Sequence, residues 1–151
     1  MATQWTAGLT DNTVLPAATL NRIGAAWETW TPTVTQSVNV TVTQTIPAYY
    51  GQVQKIVVAS IYLTVTGTGT TNNNIVVSLP ITARQSLQIV GQGFIYDNSA
   101  SSLYAVTAIA TSTTAMNFFY TNASGSAFGV SPNIGLAVND QIRLQLMYEA
   151  A

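Results

Sequence analysis

From Thr31 onward, apolar and polar residues of this chain alternate with a period of two. Val34, Val38 and Val40 share one parity. A long run over 53–65 keeps the same period, and part of it is apolar on both faces. Because neighbouring side chains of a strand point to opposite sides, this pattern predicts half-buried β-strands and one central strand.

Other segments repeat this alternation between turn signals. Strands are predicted at 75–79, 87–95, 103–110, 115–120, 128–130 and 142–148, with turns at 67–74, 97–98, 112–113 and 139–140. Gly91 and Gly93 interrupt one of these strands, which predicts a bulge or tight packing. Roughly eight short strands at such spacing predict an all-β fold, a single jelly-roll-like antiparallel β-sandwich over residues 31–151.

Residues 1–30 differ from the rest and form a predicted N-terminal arm with one short helix. Pro16 suits the first turn of that helix, and Gly24 fits its stop. A helix this short is not stable alone, so we expect the arm to dock on its own domain or on a neighbour. The side chains predicted to make that contact are Trp5, Leu9, Leu15, Leu20, Ile23, Trp27 and Trp30.

Charged residues make up only 6% of the chain, whereas apolar residues make up 48%. An average soluble domain carries about 25% charged residues. A surface covered by Thr, Ser, Asn and Gln suits permanent contact with other subunits, where burying charge costs free energy. The net charge is −1 and the basic residues are scattered, which argues against nucleic-acid binding and against a polybasic membrane site.

The composition also argues against enzyme activity. Histidine and cysteine are absent, which removes the commonest general base, thiolate chemistry and zinc ligation by those residues. Asp97 and Asp140 occupy predicted turns that can share one end of the sandwich, and a glycosidase would need such a pair. Ordinary turn chemistry explains both better, and an uncharged polar loop explains residues 72–74 better than calcium ligation does. We therefore predict no catalytic residue, no metal site and no cofactor.

Phe118, Phe119 and Tyr120 place rings on both faces of one predicted strand. At least one face must then meet something other than the core, either a carbohydrate or another subunit. Because aromatic anchors are common in protein interfaces, Phe118 and Tyr120 are predicted interface residues.

Several motifs, taken in order, resemble a family of tail and head appendage domains that is common in phages of actinobacteria. The resemblance covers nearly the whole chain. Its motifs are a lead over 9–21, an opening Trp-Glu-Thr-Trp-Thr-Pro-Thr over 27–33, a loosely matched Tyr-Gly to Lys stretch over 50–55, a Ser-Leu-Pro-Ile-Thr-Ala segment over 78–83, and an ending from Asn-Asp to Tyr-Glu-Ala over 139–150.

The resemblance implies a non-enzymatic structural protein on the outer surface of a virion, with a jelly-roll-like domain assembled as a homotrimer. The expected role is a capsid decoration or head-fibre protein. Its arm would grip the major capsid protein, another virion protein or a sister subunit. The alternative is a minor tail or receptor-binding protein that recognises a host-surface glycan through Tyr and Asn loops. Residues 1–8 lack the basic start and apolar run of a signal peptide, so we expect synthesis in the host cytoplasm.

Overall fold

A computed structural model of the chain describes residues 27–120 and 126–151, which form eleven β-strands in one sheet. The strands are β1 (Glu28–Trp30), β2 (Val34–Gln36), β3 (Val38–Val40), β4 (Val42–Thr43), β5 (Ala48–Val53), β6 (Ile56–Val65), β7 (Val76–Ser78), β8 (Ile89–Asp97), β9 (Ser102–Ala110), β10 (Ala115–Tyr120) and β11 (Gln141–Glu149). These residues contain no helix, and hence none suited to crossing a membrane. The helix predicted for the arm, and the arm's docking side chains before Trp27, lie outside the described residues.

The strands all pair antiparallel, in the order β1-β5-β6-β11-β8-β9-β10-β7-β2-β3. β4 pairs with the end of β6, on the same edge as β5. This order confirms the predicted antiparallel all-β class. Glu28 pairs with Tyr50 and Trp30 with Ala48, so residues 28–30, which we assigned to the arm, form part of the sheet.

One face of the sheet is buried because alternate side chains of the long strands are apolar. The sheet curls around these side chains, and Val34 of β2 shares one hydrophobic cluster with Val57 of β6, although the two strands are far apart in the sheet. Complete burial of such a side chain stabilises the fold by about 1.5–3 kcal/mol. The largest fully buried side chains are Phe118, Phe128, Leu63, Ile75, Ile95, Met116, Leu136, Ile142 and Leu146.

Tight turns lie inside two stretches that the alternation predicted as continuous. The long strand predicted over 53–65 is confirmed over Ile56–Val65, which forms β6 between β5 and β11. Its predicted start is wrong, because Gln54 turns the chain with a φ of 55° and Val53 belongs to β5 and pairs with Ile56. Val38 does not share the burial of Val34, because Ser37 has a φ of 65° and reverses the chain between β2 and β3. Neither turn carries the Gly or Asn-Gly signal that marks most hairpins.

The strand predicted at 128–130 is wrong, since these residues form a turn. Gly129 has a φ of 101°, a conformation that L side chains rarely adopt, and a Cβ there would collide with the carbonyl of Asn73. The turn keeps Phe128 fully buried, so its apolar character reflects the core rather than a strand.

Gly91 and Gly93 hold β8 close to β11, as the sequence predicted. The register of β8 against β9 shifts between Ile89 and Gly91, which marks a bulge. A Cβ on Gly91 or Gly93 would collide with backbone atoms of β11, among them the carbonyl of Arg143. Only glycine therefore fits at this seam between β8 and β11. The close contact of the two strands sets the position of β8, which carries Phe94.

Candidate interaction face

The convex side of the sheet, which we call the outer face, is exposed to solvent over four adjacent strands. Its side chains alternate with the buried ones. They are Val58, Ser60, Tyr62 and Thr64 of β6; Gln141, Arg143, Gln145 and Met147 of β11; Ile89, Gln92, Phe94 and Tyr96 of β8; and Leu103, Ala105 and Thr107 of β9.

The outer face carries several exposed apolar side chains and a single charge. Met147 is 68% exposed, Ile89 67%, Leu103 60% and Val58 38%. Single exposed apolar residues are normal, but a contiguous set of them marks an interaction surface. Among the outer-face residues named above, Arg143 is the only ionisable side chain apart from the tyrosines, and Glu149, the next outward-facing residue of β11, is paired with Arg84. This surface therefore has little of the charge that normally keeps a soluble protein from associating.

Arg143 lies at the centre of this face because the strand register places it between two aromatic residues. It pairs with Tyr62 of β6 on one side and with Phe94 of β8 on the other. Its guanidinium carbon lies 4.0 Å from the centroid of the Tyr62 ring and 5.4 Å from that of Phe94. Such cation–π contacts stabilise a cation that has lost part of its water.

The hydrogen bonds of Arg143 use only part of its donor capacity. Nη2 donates to the Tyr62 hydroxyl and, at 2.6 Å, to Oε1 of Gln141. Nε is buried and has no acceptor among the described residues. In the described part of the chain, the one ion pair joins Arg84 to Glu149 at 2.8 Å, so no carboxylate neutralises Arg143 there.

A groove of about 490 Å³ opens on the outer face beside Arg143. Ile46 and Pro47 form one wall, and the side chains of Tyr62 and Phe94 line it as well. Ser60, Gln92 and Gln145 add a hydroxyl and two amides to the lining. Both amide residues are exposed, so their donors and acceptors are accessible from solvent.

The aromatic residues predicted to dock a partner occupy different environments. Trp27 is 60% exposed, whereas Trp30 is half-buried and packs against the core. The indole Nε1 of Trp30 is buried and finds no acceptor among the described residues. Trp5, Leu9, Leu15, Leu20 and Ile23 lie outside them.

Phe118 is fully buried in the chain's own core, which corrects its assignment as an interface residue. Because the sheet curls, the inner side of β10, which carries Phe118, packs against the hydrophobic core. Tyr120 is half-buried, packs against the same core and meets the ring of Tyr104 edge to face at 5.6 Å. Its prediction as an interface residue stays untested.

Asp97 and Asp140 do lie near each other, and both carboxylates are engaged by turns. Asp140 is 1% exposed and accepts backbone N–H groups of Asn98 at 2.9 Å and Ala137 at 2.8 Å. Burial raises the pKa of Asp140 above its ordinary value, with the nearby charge of Asp97 adding to the rise and the two hydrogen bonds opposing it. Asp97 accepts from the Ser99 hydroxyl at 2.6 Å.

Sequence reasoning missed the position of Arg143 and Met147 on the outer face. The alternation of the last strand does place both opposite its buried residues, so their exposure could have been predicted. Their neighbours could not, because β6 and β8 are far from β11 in the sequence and strand order cannot be derived from alternation.

The described residues contain no group of three or more acidic side chains arranged to hold a metal ion. Comparisons with protein-family profiles, with curated proteins and with solved structures gave no significant match to this chain. The fold defines the class of protein, which is an antiparallel all-β protein with one curled sheet.

Proposed function

We propose that this chain is a non-enzymatic structural protein of a bacteriophage particle, with a jelly-roll-like domain that associates with copies of itself, as a trimer, and with other virion proteins. In its most specific form, the proposal is that the chain is a capsid decoration or head-fibre protein on the outer surface, which docks through its N-terminal arm. The virion setting rests on the sequence motifs, and association rests on the outer face.

The observation that carries association is the sparsely charged, partly apolar outer face. Its exposed side chains Ile89, Leu103 and Met147 gain free energy when another protein surface removes them from water, at about 25 cal/mol per Å² of apolar area. The strands that carry them are paired on both edges, so this association would use side chains and leave the sheet intact. The curling of the sheet around one core supports the jelly-roll-like arrangement.

Charge introduced on the outer face tests association. The variants Met147→Glu and Ile89→Glu place a carboxylate where a partner would cover it, and we expect them to lower the mass observed by analytical ultracentrifugation. Val38→Glu is the matched control, because Val38 is 48% exposed but lies on β3, the last strand of the sheet order, outside the outer face. Equal masses for all three variants and the original chain would refute an outer-face interface.

The copy number per particle tests the virion setting. Quantitative mass spectrometry of purified particles, with the major capsid protein as reference, should give hundreds of copies for a decoration protein. A handful of copies would instead place the chain at the tail. Absence from particles would refute the virion assignment.

Deletion of residues 1–26 tests docking through the arm. The sheet begins at Glu28, so we expect the shortened chain to fold as judged by circular dichroism but to lose binding to particles. Particle binding equal to that of the full chain would refute the arm as the docking element.

The alternative function is a minor tail or receptor-binding protein that recognises a host-surface glycan. The groove beside Arg143 favours it, since aromatic rings and amides commonly line sites for small polar ligands. Reproducible binding to one class of sugar on a glycan array would favour this alternative over decoration of the shell.

A further inference from the structure

We infer that the groove beside Arg143 binds an acidic saccharide, whose carboxylate pairs with the Arg143 guanidinium. The inference rests on the alternative function, recognition of a host-surface glycan, because a partner protein that covered the outer face would close this groove; it adds the chemical class of the sugar.

The positive charge of the groove favours an anionic ligand. Arg143 is half-buried, and no carboxylate of the described residues reaches it. Arg84, in contrast, is exposed and already paired with Glu149. The rings of Tyr62 and Phe94 offset part of the cost of desolvating Arg143, and an anionic ligand would recover more of it. Both donors of Nη2 are in use and Nε is buried, so a carboxylate would accept its charge-assisted hydrogen bonds from Nη1.

A second copy of the described domain has few carboxylates that could pair with Arg143. Glu149 is already paired with an arginine at 2.8 Å, Asp97 is bound within its own turn, and Asp140 is 1% exposed. Glu28 is exposed and accepts a hydrogen bond from a tyrosine hydroxyl at 2.5 Å, so its carboxylate stays accessible to a cation. It is therefore included in the test, together with Asp11, which lies outside the described residues.

The architecture of the groove favours a sugar over a peptide. An extended peptide that binds by strand addition needs an exposed sheet edge. β11 and β8 are paired on both sides along the groove. Among the described residues, β6 lacks a strand partner on the side away from β11 only over residues 61–63, beside Ile46 and Pro47, so the groove offers little backbone edge for that mode. Recognition must come from side chains, and the groove supplies the amides of Gln92 and Gln145 for hydroxyl groups and the Phe94 ring for an apolar sugar face.

The size of the groove fits this ligand class. Its volume of about 490 Å³ lies within the range of small-ligand sites. The Gly91 and Gly93 seam fixes β8 against β11, and so holds Phe94 and Arg143 at a set distance before any ligand arrives. Such preorganisation lowers the entropy cost of binding.

The test is a calorimetric titration of the full chain at low salt with oligosaccharides of glucuronic or galacturonic acid, each compared with its neutral glucose or galactose counterpart. We expect the acidic sugar to bind at least about tenfold more tightly than the neutral one, as a charge-assisted hydrogen bond implies. Binding should weaken as salt rises, because the pair is partly exposed.

Variants locate the site. Arg143→Gln should lose the preference for the acidic sugar, Arg143→Lys should keep part of it, and Arg84→Gln is the control with an exposed, already paired arginine. Gln92→Ala should weaken binding of both sugars while leaving the core untouched. Chemical shifts of the original chain should move on β6, β8 and β11 when the acidic sugar is added, which keeps the test decisive even if Arg143→Gln folds poorly.

Three results would overturn the inference. The first is equal affinity for acidic and neutral sugars, or no binding of either. The second is chemical-shift changes confined to residues outside the groove. The third is self-association that is lost in Arg143→Gln and also in Glu28→Gln or Asp11→Asn, which would assign the arginine to a contact between copies. None of these bears on copy number in particles, so the virion proposal would stand or fall separately.

Discussion

Replacing Gln36 by methionine should cost the protein about 3–5 kcal/mol of folding stability. Gln36 is fully buried on the inner side of β2. Its Nε2 donates to the carbonyls of Asn73 at 3.1 Å and Ile134 at 2.7 Å, and its Oε1 accepts the N–H of Leu136 at 2.8 Å. One amide thus fastens two separate loops to the sheet.

The magnitude follows from the groups that the substitution leaves behind. Methionine is similarly long and unbranched, so it preserves the packing but satisfies neither carbonyl nor the N–H. Each buried backbone group without a partner costs about 1–3 kcal/mol, and partial relaxation of the loops brings the sum for three groups toward the lower end. A loss of this size is a large fraction of the roughly 5–15 kcal/mol that holds a typical domain folded.

Urea unfolding followed by circular dichroism measures the loss. Gln52→Met is the matched control, because Gln52 is exposed and its single side-chain bond, to the carbonyl of Gln54 at 2.7 Å, lies on the surface. We expect the control to change stability by less than about 0.5 kcal/mol. If Gln36→Met were no more destabilising than this control, the argument that the amide fastens both loops would be wrong.

A second variant at the same position gives a pH signature. Gln36→Glu would direct a carboxylate oxygen at the carbonyls of Asn73 and Ile134, so folding should favour the protonated acid. The folded-state pKa of this glutamate would then lie above its unfolded value of about 4.3. Because the folded state would hold the proton more tightly, stability should rise as pH falls from neutral toward that value. A stability that is flat over this range, relative to the original chain, would contradict the prediction.

Further predictions concern three single residues. Gly93→Ala should destabilise the protein by about 1–3 kcal/mol in thermal unfolding, because its Cβ would collide with the carbonyl of Arg143. Asp140→Asn should cost about 1–3 kcal/mol at neutral pH, because an amide can accept only one of the two backbone N–H groups that the carboxylate accepts. Because the pKa of Asp140 is raised, the folded state binds the proton of its carboxyl group more tightly than the unfolded state does. Relative to Asp140→Asn, the original chain should therefore lose stability as pH rises from 3.8 through that raised pKa. Tyr148→Phe should remove the hydroxyl that donates to the carbonyl of Ile81 at 2.7 Å and lower stability by about 1–2 kcal/mol. Burial raises the pKa of Tyr148 to about 12. The original chain should therefore lose stability between pH 10 and about 12, as its ionisation is followed by ultraviolet absorbance. The Tyr148→Phe variant should lose less stability over the same range.

Much of the strand content followed from alternation alone. The last strand is the clearest case, because Ile142, Leu144 and Leu146 alternate with polar residues, and all three are buried. The bulge predicted from Gly91 and Gly93 is also present, since a glycine inside a strand commonly marks a bulge or a close approach of another backbone.

Alternation failed where a tight turn had no turn sequence. Gln54 and Ser37 adopt a positive φ without being Gly, Asn or Asp, and only the pairing of the flanking strands makes those turns favourable. Gln36 shares the parity of buried Val34, so a polar residue at a predicted core position was a visible signal. Its partners Asn73 and Leu136 are too distant in sequence to predict.

The sequence by itself determined that this chain forms an antiparallel all-β structure, because alternation of apolar residues sets which side of each strand must leave water. It also determined an uncharged surface, since composition alone limits how many charges a surface can carry. The tertiary structure alone decided that β11 lies between β6 and β8, and hence that Arg143 meets Tyr62 and Phe94. It also decided that Phe118 faces the core. Those contacts depend on strand order, which is set by how all the strands pack together and not by the pattern of any one of them.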